Sequence, residues 1–314
     1  MNYGEERCEG EYGSGKKKGE RCENLAYFKA NEKYYCGVHS RKYENRETLK
    51  KIPKDLKEKN EDEAIMKEEE EIKLASYENK LKGKKGNVVV TKLKMMKRLD
   101  YIQGYLKVFP NYKHDKRKDG FGCKSLSPKS MGPINHGMKE LPIAKNLENY
   151  HQFSKFFKDE VIDEKITEDA IDRRKNGFND DVPHRNKFDV KELKKNVKNI
   201  NIPLFSMYYD KNGEERRYTY IQARYFYCHW YERIATYDDN FKKLKKFMND
   251  GYNLQIVGYD GFEPIKELME HYIDDTRSFG HELVLYTMIT VEDSKEYPWN
   301  KYYKENNDIY KDVI

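Results

Sequence analysis

Four side chains able to do chemistry recur along one stretch of this chain. Glu148, His151, Gln152 and Lys155 lie at i, i+3, i+4 and i+7 within residues 147–157. A helix across that stretch would carry a carboxylate, an imidazole, an amide and an amine on one stripe. Tyr150, Phe153 and Phe157 repeat on a second stripe, which would face a core. Such a polar line beside aromatic rings is what a ligand pocket needs, although periodicity alone suits a solvated face equally well. Farther along, Asp260 follows Gly258-Tyr259 in a tight turn, where it either stands at a pocket rim or closes an Asx-turn. Arg173, Arg174, His184 and Arg185 offer themselves to an anion, and Arg matches diphosphate geometry better than Lys does.

A second set of residues points to a metal. Cys8, Cys22, Cys36 and His39 form a C-x13-C-x13-C-x2-H array. The Cys36–His39 spacing puts a thiolate and an imidazole on one knuckle, and two further thiolates complete a tetrahedron. A module of about 40 residues has too little core to fold alone, so a structural zinc would supply its stability. Four protein ligands leave no open position, so this zinc would not be catalytic. The alternative is unpaired thiols in a loose N-terminus.

The elements that must position these groups are readable in outline. Asn146 is placed to cap the helix of the polar stripe, with Pro142 keeping the approach extended. The Gly-, Ser- and Pro-rich run from Phe121 to Pro142 marks irregular backbone of the kind that lines sites, but it holds no P-loop and no dinucleotide fingerprint. Val88–Thr91 reads as a strand, and Lys92–Val108 as a helix carrying Leu93, Met96, Leu99, Ile102 and Leu106. Pro203–Tyr209, a turn at Asp210–Gly213 and Arg216–Tyr220 read as a hairpin. Tyr220–Ile234 is a helix apolar nearly all round, with Cys228 and His229 expected buried in it. A helix through Phe241, Leu244, Phe247 and Met248 closed by Gly251, a strand at Leu254–Val257 and a last helix over Gly280–Ile289 complete the pattern.

The class is α+β, predominantly helical with a small sheet, divided as residues 1–45 (the Cys3His module), 46–87 (a charged, partly helical linker) and 88–314 (the main domain). Of the 314 residues, 37% are charged and only 37% hydrophobic, yet 14% are aromatic, including 27 Tyr. Burial must therefore rest on rings whose polar tips need partners. Residues 1–120 hold 30 Lys and Arg against 22 Asp and Glu, whereas residues 121–314 hold 31 against 33. The basic excess lies wholly in the first part, where it can meet nucleic acid or an acidic partner. No run approaches the roughly 20 apolar residues of a membrane span and no signal-peptide core is present, so a soluble intracellular protein is expected, with no membrane partner.

The stretch Glu148–Phe156 resembles the signature of the NADAR (YbiA-like) family, approximately Glu-His-Tyr-x-Gln-x-x-Lys-Phe. Glu148, Tyr150, Gln152, Lys155 and Phe156 match it, and Asn149 stands where the family has His. Ser125–Pro128 is similar to the family's entry turn, and Arg173, Gly177 and Arg185 to its Arg/Gly-bearing middle. Asn253–Gly261 is similar to its late strand and Asp turn, though without the Trp-Gly after the Asp, and Phe279–Leu283 to its last helix. The blocks keep their order over residues 121–300.

The resemblance implies an N-glycosidase acting on the C–N bond of an ADP-ribosylated or ribosylamine-type nucleotide. Glu148 would then stabilise positive charge at the anomeric carbon or activate water, and Asp260 would help the base depart. Lys155 would hold a ribose oxygen or phosphate and keep Glu148 ionised. His151 and Gln152 would orient hydroxyls, Tyr150 or Tyr259 would stack on the base, and Arg173 and Arg185 would contact the anion. Zinc in the N-terminal module is the one cofactor expected. The competing expectation is a non-catalytic nucleotide- or nucleic-acid-binding module, or a structural component of a larger assembly.

Overall fold

The computed structural model describes residues 6–15, 17–49, 54–93, 99, 101–184, 203–259, 261, 263–264 and 267–313, with no side chains for 54–58. Two compact units emerge, residues 1–67 and 68–314, and the boundary falls inside the helix α1 (Lys54–Leu81). The architecture is α+β, and none of the described helices is long and apolar enough to cross a membrane.

In the smaller unit, β1 (Phe28–Ala30) pairs antiparallel with both β2 (Lys33–Tyr35) and β3 (Glu47–Thr48). The turn between β1 and β2 is made by Asn31 and Glu32, both at positive φ. Its core is small: Ala30, Tyr35 and the three cysteines, with Tyr12 and Tyr43 packed against it.

The larger unit is organised by a four-stranded parallel sheet in the order β4 (Val88–Lys92), β12 (Asn253–Gly258), β5 (Tyr105–Phe109), β6 (Phe121–Gly122). The central strand Leu254–Val257 is buried throughout, as a parallel strand covered on both faces must be. One expectation fails here. The segment read as a helix over Lys92–Val108 ends as the strand β5; Leu93, Leu99, Ile102 and Leu106 are described, while Met96 lies outside the described residues. Gly104 takes φ 75°, a left-handed conformation that no α-helix passes through, and β12 then recruits Tyr105–Val108 by backbone pairing.

The second half of α1 belongs to this unit. Ile72 is buried, and the side chains of Ser76 and Asn79 donate to the carbonyls of Asp250 and Gly251 (3.2 and 2.8 Å). Polar contacts help to dock it.

The remaining elements are α2 (Leu147–Phe153), β7 (Lys155–Phe156), a β8–β9 hairpin (Val161–Ile166), α3 (Glu168–Asn179), β10 (Phe205–Tyr209), β11 (Glu215–Tyr218), α4 (Tyr220–Ala235) and α5 (Asp239–Asn249). After β12 come α6 (Leu268–Ile273), α7 (His281–Thr290), α8 (Pro298–Glu305) and α9 (Asn307–Tyr310). A second sheet, β11-β10-β7, is antiparallel. α4 starts in a reciprocal cap between Thr219 and Gln222, and its rings carry much of the core. Phe226 stacks on Tyr208 at 3.8 Å between centroids, while Tyr231 and Tyr310 donate their hydroxyls to the carbonyls of Leu126 and Gln222 (2.8 and 2.9 Å). The rings thus supply area, and the tips of Tyr231 and Tyr310 find acceptors. Near the C-terminus α8 buries Trp299, whose indole donates to Glu232 at 2.7 Å.

Candidate functional site

The carboxyl ends of β5 and β12 open into a cavity of about 500 Å³. Side chains leave these strand ends at the mouth of the sheet, the usual ligand position in parallel α/β structure. Asn111 ties the two ends together, donating from Nδ2 to the Val257 carbonyl at 2.7 Å.

One wall comes from α2. Asn146 caps it, accepting from the Asn149 N–H at 2.8 Å, and Glu148, His151 and Gln152 face the cavity. The helix stops at Phe153, so Lys155 does not reach the site as a seventh helical position. It reaches it from β7, because Phe156 is drawn onto Phe205 of β10 and the backbone turns extended. Lys155 Nζ donates to Gln152 Oε1 (3.3 Å), and Gln152 Nε2 donates to Glu148 Oε1 (3.0 Å). An amine only donates and a carboxylate only accepts, so the amide between them has one orientation. Asn149, buried at the back of α2, donates to the carbonyls of Asp180 and Val182 and accepts from the His184 N–H, fixing the segment that follows α3.

A second wall is α4, which contributes Tyr220, Arg224 and Tyr227. The His151 ring lies 4.8 Å from Tyr227, and burial, then the charges of Lys155 and Arg224, hold its pKa well below 6.5. It is a neutral imidazole at pH 7. Burial, then Glu148, drives the Tyr227 phenol far above its usual range, with Glu282 adding to the effect. Tyr227 therefore stays protonated near two carboxylates, one on each of two walls.

That second carboxylate sits at the first turn of α7, after Gly280. Glu282 is 0% exposed, and neither of its oxygens has a hydrogen-bond partner among the described residues. A Cβ on Gly258 would stand 1.7 Å from its Oε1, so only glycine lets β12 pass this close. Nδ1 of His281 lies 3.2 Å from Oε2, while Nε2 of the same ring is 3.0 Å from the Pro110 carbonyl. A carbonyl only accepts, so Nε2 carries a proton. Nδ1 lies beside Oε2 without a hydrogen bond between them.

The structure therefore brings Glu148, His151, Gln152, Lys155 and Tyr259 to one cavity. Others expected at the site are elsewhere. Tyr150 is 2% exposed, stacked on His136 within the core, and has no face for a base. Arg173 pairs with Glu160 (2.7 Å) and donates to the Lys155 carbonyl (3.1 Å), so it supports β7 and does not face the cavity. Arg174 is buried and donates to the Met207 carbonyl at 2.6 Å. His184 pairs with Asp180 on the surface. Asp260 and Arg185 lie outside the described residues. Sequence reasoning missed Arg224, Tyr227, His281 and Glu282. The signal was there: a charged residue inside an all-apolar helix needs a reason to be buried.

In the smaller unit, the ligand atoms of Cys8, Cys22, Cys36 and His39 all lie within 4.8 Å of one another. His39 Nδ1 is 3.3 Å from Cys8 Sγ and 3.4 Å from Cys36 Sγ. These separations suit four donors about 2.0–2.3 Å from a central ion, as do three buried thiols that form no disulfide. Gly10 donates its N–H to Cys8 Sγ at 3.3 Å and packs so tightly on His39 that a Cβ would meet the ring at 2.5 Å. The cluster can hold a metal ion. Comparison with protein-family models, curated proteins and solved structures returned no match for this chain.

Proposed function

We propose that the larger unit is a NADAR-like N-glycosidase that hydrolyses the C–N bond of an ADP-ribosylated or ribosylamine-type nucleotide. The observation that carries this reading is the pair of carboxylates, Glu148 from α2 and Glu282 from α7, lining one cavity, the first accepting from Gln152 and the second beside the His281 ring. Cleavage sends the C–N electron pair to the base nitrogen, builds positive charge on the anomeric carbon and ends with water bonded to that carbon. Glu148, held by Gln152 and the Lys155 ammonium beyond it, is the anionic member that stabilises the cation and takes the proton from water. Glu282, beside the His281 ring, gives a proton to the leaving nitrogen. This gives Glu282 the acid role that sequence reasoning gave Asp260. Tyr259, 45% exposed at the rim, supplies a ring for the base.

In the smaller unit the bound ion is zinc, and its role is structural: three thiolates and one imidazole match its preference and fill its coordination.

The test is release of free base. Full-length protein is incubated with an ADP-ribosylated nucleobase and with a ribosylamine nucleotide, and products are separated by chromatography. Glu148→Gln should lower turnover by about a hundredfold or more while leaving Kd within a few-fold. A wild-type protein that binds these nucleotides but releases no base from either is a binding module, and the hydrolytic reading is then lost.

A further inference from the structure

Arg224 stands on the α4 wall of the cavity, yet it is 4% exposed and pairs with no carboxylate among the described residues. Its guanidinium donates instead to three backbone carbonyls, those of Tyr272, Asp274 (3.1 Å) and Arg277. Nε is sealed from solvent without an acceptor among the described residues, so the working edge of the fork is the one that meets the backbone. A buried cation is costly, and oriented carbonyl dipoles offset part of that cost. The carbonyls it takes are ones in need of a donor. α6 ends at Asp274 in extended backbone (φ −76°, ψ 108°), with no glycine to turn its last carbonyls inward. Tyr272, in the last turn of α6, is fully buried, so solvent cannot serve its carbonyl. Asp274 accepts from the Thr276 N–H (2.9 Å) and hydroxyl (2.6 Å) and pairs with Arg277 Nε (3.2 Å), which draws residues 274–277 into one tight turn. Arg224 thus caps α6 from another helix. The clamped segment leads directly into Ser278, Phe279 and Gly280 at the cavity, and then to Glu282. One turn beyond Arg224 on α4, Tyr227 packs its ring on His151 of α2, three positions after Glu148. α4 is therefore a common reference for both carboxylates, touching α2 through Tyr227 and the approach to α7 through Arg224.

We infer that Arg224 is a positioning residue: it clamps residues 272–277 to α4 and thereby fixes Glu282 relative to Glu148 across the cavity. This rests on the proposed glycosidase reading for what Glu282 does, but not for the clamp itself. Lysine cannot replace it, because a single ammonium cannot present donors in one plane to three separate carbonyls.

Hydrogen exchange of the full chain, followed by mass spectrometry, tests the clamp without any substrate. In Arg224→Lys, peptides covering residues 270–284 should exchange about tenfold faster, while those covering α2 and β12 keep their protection. With an ADP-ribosylated nucleobase as substrate, kcat should fall roughly tenfold to a hundredfold and KM stay within a few-fold, since a displacement of about 1 Å at a reacting group is enough. Arg224→Ala opens a gap beside the cavity, so millimolar guanidinium should restore both readouts and ammonium neither. Asp274→Ala, in the turn itself, should move both in the same direction and serves if the Arg224 variants do not fold. Unchanged exchange over 270–284, a rise spread evenly over the larger unit, or a loosened segment with wild-type kcat would overturn the inference. So would ammonium that rescues as well as guanidinium. A wild-type protein that releases no base removes the glycosidase reading and leaves the exchange result to decide the clamp. An active enzyme whose 270–284 segment is unmoved in Arg224→Lys does the reverse.

Discussion

Nδ1 of His281 stands 3.2 Å from Oε2 of Glu282, and the other nitrogen of that ring is committed to the Pro110 carbonyl. Solvent does not reach that carboxylate, since Glu282 is fully buried. On the proposed glycosidase reading, Glu282→Gln replaces the proton donor by an amide that cannot serve the leaving base. It is expected to lower kcat by about a hundredfold while KM moves little. His281→Asn, which can still donate to Pro110, separates the roles: a loss as large as that of Glu282→Gln shows that the ring and the carboxylate act together.

Gly258 sits against that carboxylate. In Gly258→Ala the new Cβ would be placed 1.7 Å from Oε1, and the obstacle on the other side is the backbone of a central strand. Overpacking of this kind costs about 1–3 kcal/mol. The expected outcome is a lower Tm in differential scanning calorimetry together with activity lost beyond what the folded fraction explains. A variant with wild-type Tm and turnover would mean that Glu282 swings freely and is not held in place.

A metal held by the Cys3His cluster would give a thiol readout on removal. Cys8, Cys22 and Cys36 are in the cluster, whereas Cys123 and Cys228 are buried in the larger unit. One metal per chain is expected from elemental analysis. A chelator should turn three otherwise unreactive thiols into rapid reactants toward a disulfide reagent, leaving the other two slow. Five equally reactive thiols before chelation, or well under one metal per chain, would dismiss the site.

Acid should weaken the larger unit early. His136, His151 and His271 all have pKa values lowered from 6.5, chiefly by burial. In the unfolded chain they protonate near pH 6.5, but in the folded chain only at lower pH, so below 6.5 the unfolded state binds more protons. Their neutral forms cost nothing above that pH, and stability falls as pH drops through it toward the folded values. Trp230 and Trp299 both report on this unit, so a thermal melt followed by tryptophan fluorescence should show Tm falling between pH 7 and pH 5. A flat Tm across that window contradicts the burial argument.

Much of the secondary structure was legible because it is written locally. Asn146 and Gly251 mark helix ends, the Asp210–Gly213 turn lies between β10 and β11, and α4, α5, β12 and α7 follow their apolar patterns. What failed is non-local. Helical spacing over 92–108 and 147–157 was overridden by strand partners far along the chain, β12 for Tyr105–Val108 and β10 for Lys155–Phe156. The candidate site was half legible for the same reason. Glu148, His151, Gln152 and Lys155 share one short stretch, whereas Arg224, Tyr227 and Glu282 enter from elements 70 to 130 residues later, and nothing local distinguishes a core tyrosine from a cavity tyrosine. The apolar spacing put Tyr150 on the core-facing stripe, where it lies, whereas the motif gave it and Arg173 to the ligand, because a motif position says nothing about which side of a helix the core takes.

The sheet order has a consequence for synthesis. β12 lies between β4 and β5, two strands completed long before it, and each pairs with it directly. A growing chain that has passed residue 110 thus carries two strands side by side in sequence with an empty slot between them, and it stays so until residue 258 has emerged. The ligand cavity, hung on the ends of β5 and β12, comes into being only at that insertion. Nascent or C-terminally clipped chains lacking the last sixty or so residues should be inert toward any ligand and should present raw strand edges to chaperones.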